Sequence, residues 1–272
     1  LMVSIVLVAI FGLIWGSFLN VWIYRIPIQR LSIHSPYWSF CPCCQETIRF
    51  YDNIPVLSYL LLGGKCRHCQ ASIPVLYPAV EISTALIFVF LVSQYANPLD
   101  QIQIIDLIRA LMLATILIPI AVIDVQKYIV PNQLLITGLI FALGLNLAES
   151  IIHQSFFVFS RYLLWGVVAG AGLQTIAVIG KLALGRTAMG FGDVKLSVVI
   201  GLFLGQWQSL ILVLVGAATC GAIVGTVALT WRRGEDRSRI PFAPFLSLAT
   251  MVDLIWHQQI WNAYLHLISW SV

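Results

Sequence analysis

Two aspartates and four cysteines are the residues of this 272-residue chain whose types and spacing could do chemistry. Asp124 closes the apolar run Ile116–Ile123 and is followed by Val-Gln-Lys-Tyr-Ile-Val-Pro131-Asn132. Asp193 stands in Gly190-Phe-Gly192-Asp193-Val-Lys195-Leu, where another apolar run begins. A carboxylate in such a run is expensive to place and marks function by default. Two carboxylates that meet could share a proton, one acting as general base on water and the other as acid. Gly190 and Gly192 would let backbone approach a substrate closely, or let a helix start at a tight bend. The plainer reading is that each Asp caps a helix, and Asp193 is well placed to do so.

The cysteines suggest a different task. Cys41-Pro-Cys43-Cys44 and Cys66-Arg-His68-Cys69 form two C-x-x-C pairs with 21 residues between them. Each pair puts two thiolates on one tight turn, and two such turns can close a tetrahedron around Zn²⁺. Unrelated reduced thiols are the bland alternative, and a redox pair is a poorer third. The spacing selects Cys41 and Cys44, although the sequence is also compatible with Cys43 exchanging into the set. Four protein ligands leave no open position, so the metal would organise the loop and not catalyse. His68 reads as a solvated residue, and Cys220, in an apolar run, as a small buried thiol.

The elements that must position these groups follow from composition. The chain is 60% apolar and only 10% charged, which excludes a soluble globule and a disordered chain. Apolar runs lie at Met2–Trp22, Ala79–Tyr95, Leu107–Ile123, Gln133–Ile152, Tyr162–Leu184, Val194–Phe203, Leu210–Trp231 and Phe242–Ile260. Their lengths predict an all-α polytopic membrane protein of about eight transmembrane helices, the sixth being the shortest. The first run is too long for a cleavable signal and reads as a retained span. The expected division is a first helix over 1–24, a cytoplasmic zinc-binding loop domain over 25–78, and a seven-span part over 79–272.

Charge placement gives the orientation. Arg25, Arg30, Arg49, Lys65, Arg67, Lys127, Lys181, Arg186, Lys195, Arg232, Arg233, Arg237 and Arg239 fall on one side of the alternating spans. Only Arg109 and Arg161 fall on the other. By the positive-inside rule the basic side is cytoplasmic, with both termini outside and both aspartates at the cytoplasmic boundary. A reducing compartment also disfavours disulfides in the cysteine loop. The net charge of +4 gives no reason for a nucleic-acid partner, whereas membrane lipid is one by construction.

The other acids are less informative. Glu46, Asp52, Asp100, Glu235 and Asp236 occupy polar loops. Glu81, Asp106, Glu149 and Asp253 lie near span edges and read as packing or interface residues, with an i,i+3 pair open to Asp106 and Arg109. Gly166/Gly170 and Gly221/Gly225 read as helix-packing positions. There is no clear internal repeat, no H-E-x-x-H and no Gly-x-Ser-x-Gly, and there is no Walker or dinucleotide fingerprint. A proton-coupled transporter using Asp124 and Asp193, and a zinc-knuckle scaffold without chemistry, are the rivals to an enzyme.

The ordered set of motifs resembles the bacterial type IV prepilin peptidases. The resemblance runs through Gly16-Ser-Phe-Leu-Asn20-Val-Trp-Ile-Tyr-Arg25, the first knuckle, Asp52-Asn-Ile-Pro-Val-Leu-Ser-Tyr59, the second knuckle and Tyr77-Pro-Ala-Val-Glu81. It continues through the G-x-G-D segment ending at Asp193 and through Arg239-Ile-Pro-Phe-Ala-Pro-Phe-Leu246. The resemblance implies a membrane aspartyl endopeptidase of the bacterial inner membrane. Such an enzyme cuts the leader from prepilins or pseudopilins after a glycine on the cytoplasmic side. It also methylates the new amino terminus from S-adenosylmethionine. Carried over by motif, Asp124 and Asp193 are the catalytic pair, Gly190, Gly192 and Lys195 support them, and Cys41, Cys44, Cys66 and Cys69 hold Zn. Lys195 reads equally as a snorkelling surface lysine. The chain departs from the family pattern at Leu76, at Gly63-Gly64 and at Asn132. The first two bear on methyl transfer more than on proteolysis.

Overall fold

The computed structural model describes residues 2–28, 38–94, 101–185, 189–231 and 240–269. Tyr95, Asp100, Glu235, Asp236, Arg30, Arg186, Arg232, Arg233, Arg237 and Arg239, all used above, lie outside the described residues. In chain order come α1 (Met2–Arg25), a 3₁₀ turn (Phe50–Asn53), α2 (Leu57–Leu61), α3 (Leu76–Gln94), α4 (Gln101–Lys127) and α5 (Asn132–Ile152). They are followed by α6 (Phe156–Leu184), α7 (Phe191–Leu204), α8 (Trp207–Trp231) and α9 (Ala243–Ser269). Among the described residues no strand forms; pairing is limited to isolated bridges between Phe40 and Thr47 and between Lys65 and Ser72.

Six helices, α1, α3, α4, α5, α6 and α8, are long and apolar enough to cross a membrane. Every apolar run read from the sequence forms a helix, but two fall short of that standard. The sixth becomes α7, whose 14 residues reach only about 21 Å at 1.5 Å per residue. The eighth becomes α9, which carries Asp253, His257, Gln258, Gln259, Asn262 and His266 and leaves helical geometry at Trp256 (φ −124°, ψ 20°).

The chain divides into two compact units, Leu1–Leu99 and Asp100–Val272. In the first, α1 packs along α3. A Cβ on Gly16 would stand 2.7 Å from the Glu81 Cα, so only glycine allows this approach of the two backbones. Asn20 Nδ2 then donates to the Tyr77 carbonyl at 3.0 Å and ties the end of α1 to the start of α3.

In the second unit α4 is central, packing against α5, α7 and α9, while α6 covers α7 and α8 covers α9. It is the most buried of the six long apolar helices. Leu113, Leu117, Ile120 and Ile123 on it are wholly buried. A helix that is apolar all round belongs inside, and this one is. Gly166 and Gly170 on α6 face Leu202 and Val198 of α7 at distances that leave no room for a Cβ, as the small-residue spacing led us to expect.

Candidate active site and metal centre

Asp124 lies in the last turn of α4, which runs on to Lys127 and ends at Tyr128 in a left-handed conformation (φ 58°). A carboxylate there opposes the partial negative charge of its own helix end. The opposing term comes from another helix. The N–H of Ala243, the first residue of α9, donates to Asp124 Oδ2 at 3.2 Å. The α9 start is poor in local capping, since Phe242 offers no polar side chain and Pro244 no N–H. Asp124, 119 residues earlier, caps it instead.

Asp193 is in the first turn of α7, whose N-cap is Gly190. It is not itself the N-cap, because α7 starts at Phe191, three residues before the apolar run suggests. Its N–H donates to the Gly190 carbonyl at 3.2 Å, and its carboxylate lies near the Gly190 N–H. Gly192 has a separate reason: a Cβ there would meet the Val130 Cβ at 2.9 Å. That contact sets the start of α7 against the turn leaving α4, and so the register of one aspartate against the other.

The two carboxylates are near enough for the charge of Asp124 to act on Asp193. Asp124 is 5% and Asp193 7% exposed. Among the described residues neither forms an ion pair. A buried pair of carboxylates can share one proton and exchange it with a bound water. Both stand at helix ends and not deep in a span, which is the opposite of what the transporter reading expects. Lys195 does not reach them. Its Nζ donates to Asn132 Oδ1 at 3.0 Å and lies 5.2 Å from the centre of the Phe191 ring, on an exposed surface.

The cysteine segment forms two copies of one turn. Cys41 N–H donates to the Glu46 carbonyl at 2.9 Å and Gln45 N–H to the Cys41 carbonyl at 2.8 Å. The second knuckle repeats this with Cys66 to Ala71 at 2.9 Å and Gln70 to Cys66 at 3.0 Å. Gln45 and Gln70 both take positive φ, 61° and 59°. The sequence carries this repeat as C-x-x-C-Q at positions 41–45 and 66–70, a signal too short to stand out as an internal repeat.

The sulfurs of Cys41, Cys44, Cys66 and Cys69 all lie within 4.8 Å of one another, and Cys43 is not among them. Cys41 and Cys69 sulfurs are 3.8 Å apart. Four Zn–S bonds of about 2.3 Å in a tetrahedron put sulfurs about 3.8 Å apart, so the donor set fits that metal. Backbone N–H groups of Cys69 and His68 bring the Cys66 thiol down to about 6. Cys69 receives the Ala71 N–H, but burial and its thiol neighbours outweigh it and push that group up to about 12. Arg67, between the ligands, grips Asp52 with both arms at 2.8 and 2.6 Å and holds its carboxyl below the usual range.

Two buried polar groups escaped the sequence reading. Arg109 does pair with Asp106 at 2.5 Å as the i,i+3 spacing allows, but it also binds Glu149 at 2.5 Å and Asn146 at 3.3 Å. Tyr162 donates to Glu149 at 2.9 Å, and Asn146 donates to the Leu202 carbonyl at 2.9 Å, so α4, α5, α6 and α7 meet there. Elsewhere, His257 Nδ1 lies 2.8 Å from Asp253 Oδ1 and 3.2 Å from Ser209 Oγ. Aspartate and serine meet the same ring nitrogen, so this is no nucleophile relay, which needs the serine on the other one. Only the i,i+4 spacing of Asp253 and His257 was visible in sequence.

The fold and site define a polytopic helical membrane protein with a buried aspartate pair and a four-cysteine knuckle. Residues 10–95 match the bacterial peptidase A24 N-terminal domain, and residues 111–226 match the type IV leader peptidase family. The chain belongs to the type IV leader peptidase family. It is 34% identical to the prepilin leader peptidase/N-methyltransferase of Stutzerimonas stutzeri, over 94% of this chain and 92% of that protein. It is 34% identical to the protein of that name from Aeromonas salmonicida, over 95% and 93%. For the Pseudomonas aeruginosa protein the figure is 32%, over 93% and 91%. No solved structure matches the chain significantly.

Proposed function

We propose that the chain is a membrane aspartyl endopeptidase that removes the leader of type IV prepilins or pseudopilins after a glycine. The observation that carries this is the pair Asp124 and Asp193, both buried, within reach of each other's charge and in no ion pair with a described residue. In the reaction one carboxylate takes a proton from water as its oxygen attacks the scissile carbonyl. The other gives a proton to the amide nitrogen as the C–N bond breaks, so no covalent enzyme intermediate forms. The Ala243 N–H holds the Asp124 side chain in place, and Gly190 and Gly192 leave room for a substrate backbone to come close.

The relatives' names add an N-methyltransferase, which in this reading acts on the new amino terminus with S-adenosylmethionine as donor. Cys41, Cys44, Cys66 and Cys69 would hold a structural Zn²⁺ that fixes residues 25–78 between the first helix, 1–24, and the seven-span part, 79–272. In this reading α7 and α9 complete eight spans, and the basic residues set the inner-membrane orientation, with the termini outside and the aspartates at the cytoplasmic face.

Purified chain incubated with a prepilin and a labelled methyl donor should yield shortened, methylated product. Asp124→Asn and Asp193→Asn should each yield neither, and robust cleavage by either variant sinks the pair. The metal is tested separately. Replacing Cys41 and Cys44 by Ser should empty the site by elemental analysis, whereas Cys43→Ser should leave metal content unchanged.

A further inference from the structure

The first unit presents an apolar face that none of the described residues covers. Leu57, Leu60 and Leu61 of α2, at i, i+3 and i+4 spacing, share one side of that short helix and are 49%, 67% and 77% exposed. Phe50, just before it, is 82% exposed. The opposite side is tied down: Ser58 is buried, donates to the Tyr51 carbonyl at 2.8 Å and accepts the Ile54 N–H at 2.9 Å. Four large side chains in water on so short a segment would be a liability in a soluble loop.

The position of α2 says what covers them. Val56, immediately before α2, donates its N–H to Glu81 Oε2 at 2.7 Å. Glu81 is the sixth residue of α3, a helix apolar enough to cross a membrane. It therefore lies about 8 Å into that helix at 1.5 Å per residue. The start of α2 is thus held beside the body of a membrane helix and not out in bulk water. The tether also acts against strain. Val56, a β-branched residue, sits at φ 60° and ψ −48° in a three-residue turn closed by Leu57 N–H to the Pro55 carbonyl at 2.6 Å. Such a conformation persists only where its surroundings impose it. Basic side chains complete the pattern, with Arg49 and Lys65 exposed in the same segment.

Leucines exposed along one side of a helix, with exposed phenylalanine, arginine and lysine in the flanking segment, make a composition that suits the membrane interface. We propose that α2 lies in the lipid headgroup–acyl boundary, its leucines among acyl chains and its basic neighbours at anionic headgroups. The Glu81–Val56 bond sets its depth, and α2 thereby fixes the height of the four-cysteine knuckle above the bilayer. The proposal rests on the spans and not on the peptidase reading, so the two can fail separately.

The test uses the full chain in nanodiscs of phosphatidylethanolamine and phosphatidylglycerol. A benzophenone amino acid replaces Leu57, Leu60 or Leu61 in turn, with exposed His68 as the control position. After irradiation, mass spectrometry should find phospholipid adducts at the leucine positions several-fold above those at His68. As a second readout needing no substitution, amide exchange across residues 57–62 should be slower in nanodiscs than in lipid-free amphipol. Adducts confined to protein overturn the proposal, whether to another part of the chain, a second copy or added prepilin. So do equal labelling at Leu60 and His68, and equal exchange in the two media.

Discussion

The two ends of α4 both hold buried acids, and their environments are opposite in kind. Near its start, Glu149 and Asp106 surround Arg109, with Tyr162, Asn146 and Arg161 completing the group. About 22 Å away by the rise of a helix over fifteen residues, Asp124 and Asp193 lie within reach of each other's charge, and among the described residues neither forms an ion pair. A buried charge that has its partner costs little to keep and is hard to disturb. A buried pair of like charges is kept only where something else requires it. Compensation therefore separates the two ends: the first fastens four helices together, and the second is left poised to exchange a proton.

That contrast breaks most visibly at the aspartates. Asp124→Asn or Asp193→Asn should lower leader cleavage by about 10²–10⁴-fold, the range for losing a positioned acid or base. Melting in detergent should be unchanged or slightly raised, because a like-charge pair has been relieved. Asp124→Asn keeps an oxygen for the Ala243 N–H, whereas Asp124→Ala should also lower the melting temperature by uncapping α9. An inactive Asp124→Asn protein that also unfolds would move Asp124 to the structural side of the comparison.

At the other end the effects should trade places. Glu149→Ala leaves Arg109 only Asp106, and Arg109→Ala leaves Glu149 only Tyr162 and the more distant Arg161, a loss approaching the roughly 3–5 kcal/mol of a broken buried pair. Thermal unfolding should show it directly, while cleavage per folded molecule stays within about tenfold of the parent. The double variant Arg109→Leu/Glu149→Leu should recover much of the lost stability, since well-packed apolar side chains can replace a buried ion pair. A double variant no better than the singles would mean that the hydrogen bonds of Tyr162 and Asn146 carry the cluster.

A smaller effect should come from the contact that sets the register of the pair. Gly192→Ala brings a Cβ to 2.9 Å from Val130, an overpacking of about 1–3 kcal/mol. If the strain is released by moving Asp193, kcat should fall by about tenfold or more with little change in KM. Val130→Gly in the same chain should restore part of the loss. A change in KM alone would place Gly192 in substrate binding.

How much of this was legible in sequence differs between the parts. Six of the eight expected spans and the knuckles were, because apolar length and thiol spacing are local signals, and the described sulfurs of Cys41, Cys44, Cys66 and Cys69 do converge. The helix starts were less so. Phe191 and Gly192 extend α7 backward because Gly190 is its cap, and hydropathy does not register caps. The Arg109–Glu149 bond and the Ala243 donation to Asp124 join residues 40 and 119 positions apart. No periodicity encodes such distances. Asn146 and Tyr162 in apolar runs were the only sign that a buried charge nearby had company.

Lys195 sharpens the comparison from its weakest side. It is two residues from Asp193 and the cation closest to it in sequence, so an electrostatic role is the natural expectation. Its Nζ turns instead to Asn132 at the start of α5, and the side chain lies over Phe191 in solvent reach. An exposed cation at a helix start opposes the local dipole and is screened by salt, so its effect on a buried carboxylate is small. Lys195→Met should keep the apolar stem over Phe191 and change kcat by less than about tenfold, one pKa unit's worth of interaction. The residual change should vanish as salt is raised, because the screening length shrinks to a few ångströms near molar ionic strength. A large, salt-independent loss would show that Lys195 reaches the pair when substrate is bound, and the aspartate end would then carry its own cation after all.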